Sequence, residues 1–175
     1  TIYMNGYLKP YLNKNKNISA HCFFLMLLIA SMLSVVTIQN SLFFLVAWEI
    51  MSLSSFFLVI FEGEKKEVLS AGIKYLVYMH LSVAFLIAMF SILTNASLSL
   101  NFYDYTQILR SNPNLANLAF ILGFIGFGIK SGFVPFHNWL PDAHPAGPTH
   151  ISAVMSGVML KTGIYGILRI LFLLG

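Results

Sequence analysis

Five long apolar runs separated by short polar breaks organise this chain, at residues 18–38, 41–61, 68–94, 115–136 and 149–174. Each supplies about the 20 predominantly apolar residues that a helix needs to cross the hydrocarbon core of a bilayer. Open backbone amides find no water there, so runs of this length predict transmembrane α-helices. The breaks differ in character. Gln39 and Asn40 leave room only for a tight turn, which pairs the first two runs as a hairpin. Residues 62–67 (EGEKKE) form a short charged loop, and residues 95–114 a longer polar segment with a turn signal at Asn112-Pro113. Residues 137–148 (HNWLPDAHPAGP) are rich in proline and aromatic residues, unlike a floppy linker. The expected layout is a polar flank at 1–17 and one membrane domain at 18–175.

The fourth run carries its own interruption. Pro135 lacks an amide hydrogen and would clash with the carbonyl of Ser131, while Gly126, Gly128 and Gly132 loosen the same stretch. This helix is expected to break between about Lys130 and Pro135, a geometry tolerated in membranes where protein or a wet cavity surrounds it.

Composition agrees with the pattern. Only 9% of residues are charged, against about 25% in a soluble domain; the chain is an all-α integral membrane protein. The lone Cys22 excludes an internal disulfide and any site built from cysteines alone. No GxGxxG, Walker loop or CxxC pair is present to hold a nucleotide, flavin or iron–sulfur cluster, so redox chemistry is expected elsewhere than in these residues. Lys9, Lys14, Lys16, Lys65 and Lys66 fall on one side of the spans and Arg110 on the other. The positive-inside rule then puts the chain start and the 62–67 and 137–148 loops in the cytoplasm. The missing initiator methionine and the apolar ending ILRILFLLG suggest a piece of a longer protein.

Ionisable groups inside the runs change the picture most. A charge at the centre of a span costs roughly 2.5–3.5 kcal/mol on insertion scales, yet Glu49, Lys130 and Lys161 all sit within such runs. Lys130 lies close enough to its run's end to snorkel toward the interface. Lys161 is central, with Gly157 at i−4 and Tyr165 at i+4, a small residue and a phenol beside an amine. An amine at that depth is either a proton carrier or half of a structural ion pair. Glu49, with Ser52 at i+3, is expected to pair with Lys74 of the third run. His80 falls mid-span, where an imidazole either relays protons or bonds between helices. His150 and Tyr165 are further relay candidates. His137, Asp142, His144 and His150 cluster in sequence, but not at the spacing of a helix-face pair, and no metal site is assigned to them.

With these residues in view, the chain resembles the proton-conducting antiporter-like membrane subunits of complex I, Mrp sodium/proton antiporters and membrane-bound hydrogenases. The matching segments are FFLVAWEIMSLSSFFLV, GIKYLVYMHLSVAF and GFGIKSGFVPFHNWLPDAHPAGPTHISAVMSGVMLKTGIYGILR. The last, with its HP and MSGVM sequences, looks most like the large membrane subunit of formate hydrogenlyase-type hydrogenases. The resemblance implies that the five spans are the first of two inverted repeats, with the fourth helix of this chain broken. It also implies a proton pathway through Glu49, Lys130 and Lys161, with Lys74 less firmly placed.

The function so implied is proton translocation within a redox-driven complex, through buried Glu and Lys residues. Its nickel–iron and iron–sulfur centres, or a flavin, would sit in partner subunits, with no cofactor in this chain. Partners would be other membrane subunits and a peripheral redox arm, in a bacterial or archaeal cell membrane, and not nucleic acid. Two alternatives stay open, a sodium/proton antiporter subunit and a non-transporting membrane anchor.

Overall fold

The computed structural model describes residues 17–174. The predicted cytoplasmic flank, with Lys9, Lys14 and Lys16, lies outside the described residues except for Asn17. All five runs fold as helices long and apolar enough to cross a membrane. The elements are α1 (Ile18–Thr37), α2 (Ser41–Val59), α3 (Lys66–Ser97), α4 (Phe102–Ser111), α5 (Pro113–Ser131), α6 (Leu140–Ala146), α7 (Thr149–Val154) and α8 (Leu160–Leu174).

Side-chain caps start three of these helices where the sequence places asparagine. Asn17 accepts from the Ala20 amide at 3.0 Å, Asn40 from Leu42 at 3.0 Å and Phe43 at 3.2 Å, and Asn112 from Leu115 at 3.3 Å. Each bond satisfies an amide that a helix start leaves open. Pro113 follows Asn112 at the first helical position, where its missing amide hydrogen costs nothing.

The expected break in the fourth span is present, and its cause is a helix stop at Gly132. This glycine takes a left-handed conformation (φ +71°). The Phe133 amide returns to the Gly128 carbonyl at 2.9 Å and the Gly132 amide to Ile129 at 3.2 Å. This crossed pair of bonds closes the helix end and uses its open carbonyls. A short 3-10 turn, Phe136–Trp139, leads into α6, and the Trp139 indole donates to the Ile129 carbonyl at 3.0 Å. Pro135 therefore follows a helix that has already ended.

Two features depart from the expected layout. The segment 95–114, expected to be a polar connection, contains α4. Its buried face is Phe102, Tyr105 and Leu109, and the Tyr105 hydroxyl meets Ser41 and Thr94, each at 2.8 Å. The fifth span is also not uniform, because Met155–Met159 widens into a π-helical turn between α7 and α8.

Close helix approach sets the packing. A Cβ on Gly126 would lie 2.8 Å from Leu86 Cδ2, and one on Gly163 would lie 2.7 Å from the Phe127 carbonyl. The absence of side chains there lets α3 and α8 both press against α5, the pattern typical of membrane helix contacts. Ser82 of α3 donates to the Gly126 carbonyl at 2.7 Å across that approach. At the end of the bundle marked by the α1–α2 turn, Arg169 of α8 donates to the Ile38 carbonyl at 2.5 Å and to Gln39 Oε1 at 2.8 Å. Its guanidinium lies 4.4 Å from the Phe102 ring. These bonds satisfy carbonyls at the end of α1 and fix the arginine where no carboxylate is needed.

Candidate functional site

Lys130 is fully buried at the last turn of α5. The helix break explains how an amine fits there. Ending the helix at Gly132 leaves the lysine beside the carbonyl end of α5, where the helix dipole favours positive charge. The side chain then enters a cage of neutral groups. Nζ donates to Ser52 Oγ at 2.9 Å and to the Tyr75 hydroxyl at 3.5 Å. It stands 5.8 Å from the ring centres of both Trp48 and Tyr75, within cation–π range. Snorkelling to the surface is ruled out for this residue.

Oxygen atoms continue past the lysine. The Tyr75 hydroxyl lies 2.5 Å from Ser55 Oγ and donates weakly to Met159 Sδ, 3.7 Å away in the π turn. Ser52 passes its own hydrogen to the Trp48 carbonyl at 3.0 Å. Ser52 and Ser55 stand one turn apart on α2, so the lysine meets a short ladder of hydroxyls. Glu49 precedes Ser52 by one turn on the same helix.

The expected Glu49–Lys74 pair does not form. Glu49 Oε1 lies 3.1 Å from His80 Nε2, and Lys74 Nζ lies 2.7 Å from Asp142 Oδ2. The helical register of α3 explains the exchange. Tyr75 is the residue turned into the core, which sends Lys74 outward to α6. His80 then stands on the face that meets α2. The expectation of several buried glutamate and lysine side chains is corrected likewise. Of Glu49, Lys74, Lys130 and Lys161, only Lys130 is buried.

Lys161 is exposed, and its Nζ donates to the Ser156 carbonyl at 3.2 Å. That partner is five residues back, inside the π turn, where the wider backbone displaces the usual i−4 geometry. Gly157 faces open space. Tyr165, expected beside Lys161, donates to the Val36 carbonyl at 2.9 Å and ties α8 to α1.

The histidines separate. His150 and His21 are both buried, with their Nε2 atoms 2.9 Å apart. His144 Nδ1 meets Ser152 Oγ at 2.7 Å, and Asp142 is held by Lys74. Among the described residues no three metal-ligating side chains converge. Ser52, Ser55 and Tyr75 form the lysine's surroundings but were not singled out as site residues from sequence. The spacing of Glu49, Ser52 and Ser55 along one helical face was the available signal, and Tyr75 gave none beyond adjacency to Lys74.

Residues 38–175 match the family described as NADH:quinone oxidoreductase/Mrp antiporter, transmembrane region. The chain belongs to this family of antiporter-like membrane subunits, and it is a multi-pass membrane protein. It is 41% identical over 170 residues to Hydrogenase-4 component B of Escherichia coli, covering 97% of this chain and 25% of that protein. The chain therefore spans about a quarter of that relative's length. Its fold matches a subunit of the archaeal membrane-bound sulfane sulfur reductase, with TM-score 0.84 and 23% identity, over 91% of this chain and 33% of that one. It also matches a subunit of the Mrp complex from Dietzia, with TM-score 0.76 and 24% identity, over 86% and 29% of the two chains.

Proposed function

We propose that this chain is part of a proton-translocating membrane subunit in a redox-driven complex of the hydrogenase or NADH–quinone oxidoreductase type. The observation that carries this reading is Lys130, an amine buried at membrane depth among two hydroxyls and two aromatic faces. Keeping an ionisable group in hydrocarbon is expensive, and such positions in membrane proteins typically mark ion or proton pathways. A full-time salt bridge would suit a structural charge better. Lys130 instead has neutral hydroxyl partners, which can bond to the uncharged amine as well as to the ammonium.

In this reading Lys130 holds the proton in the α5 half of the path, and Glu49 supplies the charge that governs it. Ser52, Ser55 and Tyr75 form hydroxyl steps toward the π turn, and Lys161 beyond that turn receives the proton. The exposure of Lys161 fits a residue whose other partners belong to sequence present in the longer relatives. Similarity to Hydrogenase-4 component B supports a hydrogenase-type assembly; in this reading nickel–iron and iron–sulfur centres, or a flavin, would sit in partner subunits. The 62–67 and 137–148 loops would face the cytoplasm.

The test is proton uptake into liposomes holding the complete purified complex, with redox turnover measured in parallel. Lys130→Met should assemble and lose pumping. Pumping at the wild-type proton stoichiometry would reduce Lys130 to a structural residue and overturn the reading.

A further inference from the structure

Arg169 stands near the end of α8, about 7.5 Å along the axis from Leu174. Its guanidinium donates to the Val35 carbonyl at 3.3 Å, the Ile38 carbonyl at 2.5 Å and Gln39 Oε1 at 2.8 Å. All three acceptors are neutral, and a guanidinium stays charged in proteins. Arg110 of α4 lies at the same end of the bundle, where Asn101 bridges Asn40 of the α1–α2 turn. Neither arginine has a carboxylate within ion-pair distance among the described residues. Two fixed positive charges are thus uncompensated there.

Beside Arg169 a groove of about 520 Å³ opens between α4 and α8, within the range of small-molecule sites, about 300–1,000 Å³. Tyr103, Thr106, Tyr165, Leu168, Arg169 and Phe172 line it, and no acidic side chain is among its lining residues. Tyr103, Leu168 and Phe172 are exposed on its outer side. Tyr103, Thr106 and Arg110 fall at i, i+3 and i+7, so Arg110 continues the groove-lining face of α4 by one turn. Asp104, the acidic residue of α4, accepts from the Ser99 hydroxyl and is absent from the lining.

We propose that this groove binds an anionic phospholipid of the phosphatidylglycerol class, its phosphate toward Arg169 and Arg110 and an acyl chain over Leu168 and Phe172. A groove with a cation and no acid complements a phosphate ester, which arginine holds through charge-assisted hydrogen bonds. The same lining offers the ammonium of a zwitterionic headgroup no carboxylate, which favours the anionic class. Tyr103 and Tyr165 beside a charged residue near a span's end match the composition of a bilayer interface. The amphipathic α4, with Phe102, Tyr105 and Leu109 buried, has the make-up of an interfacial helix. The groove therefore sits where headgroup and chain meet. On the expected orientation it belongs to the non-cytoplasmic leaflet. The assignment needs only the membrane-spanning fold and is independent of proton translocation.

The test places the complete complex in nanodiscs with a photoactivatable phosphatidylglycerol, its diazirine near the headgroup, and maps the adducts by mass spectrometry. The expected result is labelling of α4 and α8 around Tyr103, Tyr165 and Leu168. Unlabelled phosphatidylglycerol should displace it, and phosphatidylcholine and inorganic phosphate should not. Displacement by inorganic phosphate would make this a free-anion site, and equal displacement by phosphatidylcholine an unselective lipid groove; either overturns the proposal. No adduct on α4 or α8 would mean that other protein covers the groove, and overturns it too. Arg169→Gln combined with Arg110→Gln should lose most of the adduct in assembled complex. Leu168→Trp fills the groove from its exposed side and leaves the Arg169 bonds intact, so it should lose the adduct even where the arginine variant fails to assemble. Undiminished labelling in either variant overturns the proposal.

Discussion

Two lysines in adjacent spans end up in opposite surroundings. Lys130 is sealed in a cage that the described residues build completely, from Ser52, Tyr75 and the Trp48 face. Lys161 stands on the outside of the bundle with one backbone carbonyl for company. Depth along a span would predict the reverse, because Lys130 lies near the end of its run and Lys161 near the centre of its own. Backbone irregularity distinguishes them. One amine sits in the core beside a left-handed helix stop, and a π turn leaves the other on the outer face of the bundle.

The largest effects should fall on transport. Lys130→Met should lose pumping with little change in thermal stability, because Ser52 keeps the Trp48 carbonyl and Tyr75 keeps Ser55 when the amine is gone. A large drop in the melting temperature of the purified complex would show instead that the cage needs its charge. Lys161→Arg should keep the bond to Ser156 yet impair pumping, since a guanidinium does not release its proton in proteins. Unimpaired proton uptake by that variant would make Lys161 a structural residue. Lys161→His is expected to retain part of the activity, because imidazole both takes up and releases a proton.

Effects on stability come next. Gly163→Val would drive a side chain against the Phe127 carbonyl and Ser131 and force α8 off α5. Overpacking of this kind costs typically about 1–3 kcal/mol, which calorimetry or denaturant titration of the complex would register. Ser52→Val should cost about 1–3 kcal/mol by leaving the buried amine without its nearest acceptor. Restored stability in Ser52→Val/Lys130→Met would tie that cost to the amine. Lys74→Ala should be the mildest, about 0–1 kcal/mol, because its pair with Asp142 is largely exposed. A larger loss would mean that the Lys74–Asp142 contact locks α6 in place.

Much of this was legible in the chain. The apolar runs fix five spans, because hydrocarbon leaves a backbone few ways to satisfy its amides. Asn17, Asn40 and Asn112 mark helix starts, and Gly132 with Pro135 marks the broken helix, since both act through local backbone chemistry. The periodicity of Phe102, Tyr105 and Leu109 announced α4, but ten residues in a polar segment were easily taken for a loop.

Partnerships were a different matter. Glu49 and Lys74 carry opposite charges in adjacent spans, and sequence alone favours their pairing. Which residue faces which depends on the rotation of α3, and that rotation is set by Tyr75 and Met79 packing into the core. The same rotation brings His80 to Glu49 and leaves Lys74 for Asp142. The π turn before Lys161 and the contact between His21 and His150 likewise depend on how distant segments meet. The sequence by itself determined where the membrane is crossed, where the fourth span breaks and which ionisable groups lie inside, because these follow from local propensity and solvation. Only the tertiary structure decided which of those groups is sealed and which proton-bearing groups touch, because side-chain direction on a helix is settled by the neighbours it packs against.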